Sequence, residues 1–378
     1  MAQTDVVVVG GGIAGLMTAW YLAREGTGVT LVEARDLGSQ ASGANAGSLH
    51  LQIQYPEFVA YGEAWARLYA PTLRFLKASI AMWQDLSDEL GEDLDVRLGG
   101  GLVVATTEDQ MRRIEAKSRI EADVGVETRI LDRAELRALA PYLSDAAIGA
   151  GFCAMEGKAN PLRATPAIAA AAELAGAVIL RDTGVTGIDV LSKGFSVATT
   201  RGVIRAGRIV NTAGAAAAEV SAMVGLTVAL DGFPLQVTVT EPVAPIIPHL
   251  VYSAAGKLSL KQTPGGGCII GGGWAARVRP DGGLATDPRN FAANMEMAAG
   301  VVPILGQARA VRSWTAWVNG TTDWRPVIGE AAGVPGFFLA LFPWVGFSAG
   351  PMTARVTADL VLGRKPAIPL SGISVIAE

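Results

Sequence analysis

From Val6 to Ala23 the chain runs eighteen residues without a charge, and its apolar pattern changes twice inside that span. Val6 to Val9 is a short β-branched run, the pattern of a strand buried on both faces of a parallel sheet. Gly10, Gly11 and Gly12 interrupt it, and a helix is predicted from about Ile13 to Arg24, ended by Gly26 and Gly28. Eighteen uncharged residues would suit a membrane span. The glycines argue against one, because they break the helix where a span needs continuity. Asp5 is the only charge before the run, so the basic start of a secretory signal is missing as well. A second strand is expected in "GVTLVEAR", closing on Glu33. Farther on the period shortens to two in residues 233–243 and in parts of 256–263 and 308–318, which predicts an antiparallel sheet. Gly265-Gly266-Gly267 reads as a hairpin turn between "LSLKQT" and "CIIGGG", and Pro242, Pro245 and Pro248 as a loop or edge. Residues 155–180 read as a loop, an Ala-rich helix from about Pro161 and a returning strand.

The first turn carries chemistry. Gly10-Gly11-Gly12-Ile13-Ala14-Gly15 is a G-x-G-x-x-G stretch between a strand and a helix. Gly10 permits the tight turn, Gly12 lets backbone approach a pyrophosphate, and Gly15 lets helix and strand pack closely. The helix start offers unpaired N–H groups and partial positive charge to phosphate. Glu33, eighteen residues beyond Gly15, stands where an acidic side chain accepts hydrogen bonds from a ribose diol. Together these predict a dinucleotide site. The next segment, residues 34–50, is a long run of small and polar residues. An NAD domain would go on within a few residues to another helix. A small-residue loop lets backbone lie along a pyrophosphate, ribityl chain and flavin edge, which favours FAD.

Composition narrows the classes. Half of the 378 residues are hydrophobic, 17% are charged and 46 are glycine, as in a Gly-rich α/β enzyme of one large or two smaller domains. A net charge of -4 offers no basic surface for nucleic acid. Long charge runs, low-complexity tracts and fixed-period repeats are absent. Cys153 and Cys268, 115 residues apart, are expected to be buried free thiols. With His50 and His249 they make no familiar metal spacing, so no metal site is expected in the chain. A cytoplasmic protein without a transmembrane segment is expected.

"VVVVGGGIAGLMTAWYLAREG…VTLVEA" followed by "GSQASGANAG" resembles the D-amino-acid oxidase/glycine oxidase superfamily of FAD-dependent amine oxidoreductases. Later motifs extend the resemblance over nearly the whole chain: "GVTGI", "RIVNTAGAAAAEV", "RPVIGE" and residues 337–361. It implies an α/β fold, α+β overall, with a Rossmann-like FAD-binding domain and a second, antiparallel-sheet substrate domain. The FAD-binding pieces are expected at 1–80, 150–225 and 321–378, and the substrate or cap pieces at 81–149 and 226–320. It also implies non-covalent FAD. Val185 would meet the adenine end, Asn211, Ala213 and Gly214 the phosphates, and backbone N–H groups of Gly346, Phe347, Ser348 and Ala349 the flavin pyrimidine. Ala34 and Arg35 beside Glu33, and Ser42, Gly43, Ala44, Asn45, Ala46 and Gly47 in the loop, complete the expected cofactor set. "SGANAGSLHLQ" and "LSLKQTPGGGCIIGGGW" look most like flavin β subunits of opine and D-hydroxyproline dehydrogenases. Such subunits join an α subunit with a second dinucleotide site and, in some complexes, a small iron–sulfur subunit. FMN and a [2Fe-2S] cluster then belong on or between partner subunits.

Two side chains are catalytic candidates. His50 follows the loop expected beside the flavin, as an imidazole facing flavin or substrate. Lys261 falls where the resembling sarcosine oxidases carry a lysine over the flavin face. His249, among prolines, reads as structural. Simple amino-acid oxidases of the superfamily place an arginine shortly after a tryptophan in the last sheet strand. Here Trp314-Thr315-Ala316-Trp317-Val318-Asn319 offers none, and no apolar side chain makes a bidentate carboxylate clamp. Lys261, Arg279, Arg312 or Arg325 would have to substitute, or the substrate differs from glycine-like acids. Trp274, Trp317, Trp324 and Trp344 are candidate pocket walls, with Arg312 beside them. The leading expectation is oxidation of a secondary amine, an opine or a D-hydroxyproline-like imino acid, within a hetero-oligomeric dehydrogenase. A stand-alone glycine, sarcosine or D-amino-acid oxidase using O2 and a non-catalytic flavin-binding assembly subunit are the alternatives.

Overall fold

In the computed structural model, which describes residues 2–374, two eight-stranded sheets divide the chain between them. Residue 1 and residues 375–378, at the ends of the expected FAD-binding pieces, lie outside the described residues. The first sheet is built around the valine run. Strand Ala2–Val9 lies between Gly202–Asn211 and Val29–Val32, parallel to both, with Val6 to Val8 fully buried. Phe337–Leu341 extends the sheet in parallel on one side and Val178–Leu180 on the other. Val327–Glu330 adds an antiparallel edge, and the hairpin Val185–Val190/Phe195–Thr199 pairs with Gly202–Asn211.

Helices pack on the parallel core. Ile13–Arg24 is buried on nearly every side, which is why it carries no charge before its last residue. It lies against helices Pro161–Leu174 and Gly346–Val361, within the largest apolar core. At its exposed end Arg24 pairs with Glu89 and covers the Trp20 ring. The apolar stretch is therefore strand, turn and core helix. Among the described residues no helix is long and apolar enough to cross a membrane.

The second sheet runs Ala310–Gly320, Asp231–Pro242, Gly267–Gly271, Gly256–Gln262, Leu250–Ser253, Gly101–Ala105, Gly149–Cys153, Arg129–Asp132. All neighbours are antiparallel except Leu250–Ser253 with Gly101–Ala105. The expected hairpin at Gly265–Gly267 joins Gly256–Gln262 to Gly267–Gly271. Residue 150, an expected domain boundary, falls inside Gly149–Cys153, a strand of this second sheet. The long helix Tyr55–Leu90, kinked at Gly62 (φ 78°), spans the two halves. A two-residue pairing of Ser48–Leu49 with Gly157–Lys158 ties the small-residue loop to the second half.

Candidate active site

Four connections leave the carboxyl ends of the parallel strands on one side of the first sheet, where such sheets bind ligands. They are the glycine turn, the segment after Val32, the Thr212–Gly214 turn and the segment from Phe342 to Gly346. One cavity of about 1220 Å³ is lined by all four and by residues of the second sheet. That exceeds the roughly 300–1,000 Å³ of an ordinary small-ligand pocket and suits a dinucleotide with a substrate beside it.

The glycine turn is held by its neighbours. Gly10 has φ 112°, and a Cβ on it would stand 2.6 Å from the Thr212 carbonyl oxygen. A Cβ on Gly15 would stand 2.0 Å from the Gly10 oxygen, so the helix seats directly on the turn. Thr212 Oγ1 donates to the carbonyls of Val9 (2.8 Å) and Gly10 (3.0 Å), clamping turn to sheet. Gly12 differs, since only Ser42 comes within 4 Å of a Cβ placed there. Its surface is open to the cavity, beside the Ala14 and Gly15 N–H groups that have no helical carbonyl behind them. Ile13 N–H donates to Ser42 Oγ at 2.9 Å.

Glu33 lines the cavity, with part of its carboxylate engaged by Gly11 N–H (2.7 Å to Oε2) and Arg35 N–H (2.9 Å to Oε1). Each oxygen keeps lone-pair capacity for a ribose hydroxyl. Glu33→Ala is expected to weaken FAD retention by about 1.5–3 kcal/mol per charge-assisted hydrogen bond lost. Equilibrium dialysis of the apoprotein against FAD measures it, and unchanged retention would remove the ribose assignment.

Ala34, Arg35, Ser42, Ala44, Asn45, Ala46, Val185, Ala213 and Gly214 also line the cavity. Gly15, Gly43, Gly47, Asn211 and Ala349 are not among its lining residues; they shape its walls. Cβ atoms on Gly43 and Gly47 would each stand 2.3 Å from a backbone oxygen, of Gly38 and Ala159 respectively. The loop's own packing thus demands part of its small-residue content. Asn211 is fully buried, donating to the Ala217 carbonyl (2.8 Å) and accepting from Ala213 N–H (3.1 Å). Asn45 likewise folds its loop, accepting from Gly47 N–H at 2.6 Å.

At the far end, Gly346, Phe347 and Ser348 line the cavity at the start of the last helix, where their N–H groups have no intrahelical acceptor. Ala349 is fully buried, its N–H donating to the Val345 carbonyl at 3.2 Å. Open backbone at Gly12, unpaired donors at two helix starts and an acidic side chain at the end of the next strand over from the glycine turn fit a dinucleotide with a flavin end. Such donors would favour negative charge on the flavin pyrimidine.

The second sheet and the first residues of the long helix close the cavity. Trp317, Trp324 and Trp344 form an aromatic wall. Trp324 and Trp344 stack at 5.2 Å, and Phe233 lies 4.5 Å from Trp344. Both tryptophans take positive φ, 69° and 60°. Trp314 N–H donates to the Ala44 carbonyl at 2.6 Å, pinning the small-residue loop to this sheet. Two expected wall residues lie elsewhere. Trp274 sends its N–H to the Lys257 carbonyl (3.1 Å) and does not line the cavity. Arg312 shares the strand face of Trp314 but sits two residues nearer its exposed start, 5.9 Å over the Trp314 ring. Arg279 pairs with Asp281 and Arg325 with Asp323, and neither lines the cavity. The cationic lining residues are Arg35, next to Glu33, and Lys257, on the second sheet.

Lys261 is buried and reaches the site only through Ser48, to whose Oγ its Nζ donates at 2.5 Å. Burial, with the nearby Lys158 ammonium adding to it, pushes the Lys261 amine well below its usual range. His50 lines the cavity. Its backbone N–H donates to Ser348 Oγ (2.8 Å), and Ser348 in turn donates to the Ser48 carbonyl (3.2 Å). Burial, reinforced by Lys261, holds the His50 imidazole down to about 3, so it is neutral. Its Nδ1 lies 2.7 Å from the Tyr252 hydroxyl. His249 makes a similar contact with Tyr142 (2.7 Å) outside the cavity. Cys153 and Cys268 are free and buried.

Sequence reasoning missed Tyr252 and Glu156. Glu156, fully buried behind Tyr252, accepts from the Leu51 and Gln52 N–H groups (2.7 and 2.9 Å), from the Gln52 amide (2.8 Å) and from the Tyr252 hydroxyl (3.2 Å). Its signal was weak: a carboxylate in "AMEGKAN" reads as an ordinary loop residue.

Fold and site define a dinucleotide-binding oxidoreductase. The chain belongs to the DAO family of FAD-dependent oxidoreductases, whose family model matches residues 5–360. It is 28% identical to an opine oxidase subunit of Agrobacterium tumefaciens (strain Ach5), over 90% of this chain and 88% of the relative. Glycine oxidase of Geobacillus kaustophilus (strain HTA426) is 29% identical over 98% of this chain and 96% of the relative. The crystal structure of glycine oxidase from that species superposes with a TM-score of 0.87 at 26% identity, covering 100% of both chains. L-proline dehydrogenase from P. horikoshii gives 0.87 at 26% identity, covering 99% of this chain and 97% of that one.

Proposed function

We propose that this protein oxidises a secondary amine, of the opine or cyclic imino-acid kind, to an imine, as the flavin-carrying subunit of a hetero-oligomeric dehydrogenase. The observation that carries this reading is the aromatic wall of the cavity that His50 also lines: tryptophans with no arginine among them. An opine or a cyclic imino acid adds bulk beyond its α-carboxylate that aromatic faces hold, and Lys257 is the cation of the second sheet left to meet a carboxylate. Two relatives are themselves named as subunits, one of opine oxidase and one of sarcosine oxidase, which supports a partner chain. That partner would carry the second dinucleotide site and any FMN or [2Fe-2S] centre, in the cytoplasm. The pieces 1–80, 150–225 and 321–378 would hold FAD, apart from the strand Gly149–Cys153 of the second sheet, and 81–149 and 226–320 would cover the substrate.

Bound flavin supplies the hydride acceptor. The chain's residues orient the substrate carbon, exclude water and take up the amine proton. Anaerobic mixing with octopine, nopaline, D-hydroxyproline, sarcosine and glycine tests the reading, with the chain alone and with its partner. Bleaching of the flavin by the first three and not by glycine is expected. Bleaching by glycine alone, followed by rapid reoxidation in air, would favour a stand-alone oxidase, the alternative that the full-length likeness to glycine oxidase supports.

A further inference from the structure

Behind His50 a chain of buried polar groups runs away from the cavity. His50 Nδ1 meets the Tyr252 hydroxyl at 2.7 Å, and that hydroxyl donates to Glu156 Oε1 at 3.2 Å. The Gln52 amide donates to Glu156 Oε2 (2.8 Å), while Lys117 Nζ donates to Gln52 Oε1 (3.2 Å) and pairs with Glu121 (2.5 Å). Glu156, Lys117 and Glu121 are all fully buried. Two carboxylates and one ammonium leave this cluster with a net charge of minus one, a costly state that a single added proton would neutralise.

The directions of the bonds follow from the charge. A carboxylate only accepts, so the Tyr252 hydrogen points at Glu156 and its oxygen accepts from His50 Nδ1–H. The imidazole therefore carries its hydrogen on Nδ1, and Nε2 is left as an acceptor. Among the described residues no hydrogen bond engages Nε2, and His50 lines the cavity.

We propose that Glu156, acting through Tyr252 and His50, receives the proton that an amine substrate sheds before it is oxidised. The proposal rests on the amine-oxidation reading. An ammonium in the cavity gives its proton to His50 Nε2, and the Nδ1 proton passes to the Tyr252 oxygen. The original Tyr252 hydrogen passes to Glu156 Oε1. One N–H bond of the substrate is broken, one O–H bond is formed on Glu156, and His50 and Tyr252 end neutral, as they began. No electrons move in this step. His50 touches the substrate, and Tyr252 and Glu156 position and discharge it.

The groups facing the relay agree with this direction. Burial raises the Glu156 carboxyl above its usual range, against the hydrogen bonds and Lys117, so a proton rests there more readily than on His50. The Tyr252 phenol is raised well above 10 by burial and by Glu156 and Cys153, which keeps it a conduit. The Cys153 thiol, pushed up to about 12, stays protonated, and Lys261 beside His50 opposes an imidazolium there. His249 with Tyr142 has similar geometry, and among the described residues no hydrogen bond links that pair to a carboxylate.

Two measurements test the relay. In the flavin-loaded chain with 15N-labelled histidine, long-range 1H–15N correlation reads the tautomers of both imidazoles without substrate. His50 is expected to carry hydrogen on Nδ1 from pH 5 to 9, and Tyr252→Phe to abolish that preference while His249 is unchanged. Flavin bleaching by the amine is then followed against pH. Glu156→Gln is expected to slow bleaching at pH 7 by roughly 100–1,000-fold, within the usual range for general-base catalysis, and to restore it above the amine's own pKa. Tyr252→Phe leaves the buried charges in place and must show the same alkaline shift. A wild-type His50 with hydrogen on Nε2, or pH profiles unchanged in both variants, overturns the relay. If no amine bleaches the flavin, the functional reading fails instead, and the tautomer tells the two failures apart.

Discussion

Lys117→Met is expected to lower the unfolding free energy by about 3–5 kcal/mol, the usual cost of removing one partner from a buried ion pair. Methionine nearly fills the space, so the loss is chiefly electrostatic. Glu121 keeps the Ile53 N–H (2.8 Å) and Thr128 hydroxyl (2.7 Å) as donors but loses its ammonium at 2.5 Å. Gln52 Oε1 loses a donor as well. Adding Glu121→Gln should return much of the loss, because removing both charges costs far less than removing one. Urea unfolding reads this as a midpoint that falls and partly recovers at constant slope. A drop below about 1 kcal/mol for the single variant would show that the ammonium does not hold this cluster together.

The second large effect separates two glycines of one motif. Gly15→Ala puts a Cβ 2.0 Å from the Gly10 oxygen and 2.6 Å from Thr212 Oγ1, so helix and turn must part. Overpacking of this kind costs about 1–3 kcal/mol. The apoprotein carries that cost and is expected to melt below wild type, and a turn displaced from its place against FAD weakens binding by up to the same energy, roughly 5- to 150-fold. Gly12→Ala adds its Cβ on the open side, where it meets only Ser42 Oγ at 2.9 Å, the end of a side chain that can turn aside. Its apoprotein should melt like wild type while FAD binding falls by a comparable factor. Paired melting curves of the apoproteins and FAD titrations measure both. Equal apoprotein stability in the two variants would contradict the assignment of Gly15 to packing and Gly12 to the cofactor.

The strand, glycine turn, helix and second strand were legible because their cause is local. β-branching, the turn and the uncharged helix lie within thirty residues, from Asp5 to Ala34. The place of His50 on the cavity wall was legible because it adjoins the small-residue loop. The relay was not, because His50, Lys117, Glu156 and Tyr252 stand on separate elements that only the second sheet and the long helix bring together. A buried carboxylate and a solvated one look alike in sequence. The misplaced Arg312 and Trp274 show a different limit. Period two assigns a strand face, but where along the strand the cavity ends depends on sheet curvature and on the loop pinned at Ala44. Lys261 shows the same limit across a layer, with Ser48 standing between it and the cavity.

The parallel sheet has a consequence for how the protein is made. Its founding strand, Ala2–Val9, leaves the ribosome long before one of its neighbours, Gly202–Asn211, which itself pairs with Phe337–Leu341. At about 5–20 residues per second, Phe337 emerges roughly 15–65 s after Val9. For that interval the valine run lacks part of its sheet, and its apolar surface stays available to wrong partners. Contacts this distant in sequence are also slow to form. Yield in the cell therefore hinges on how the nascent valine strand is shielded, and a truncation before Phe337 leaves the first sheet without the strand Phe337–Leu341 and the helix Gly346–Val361.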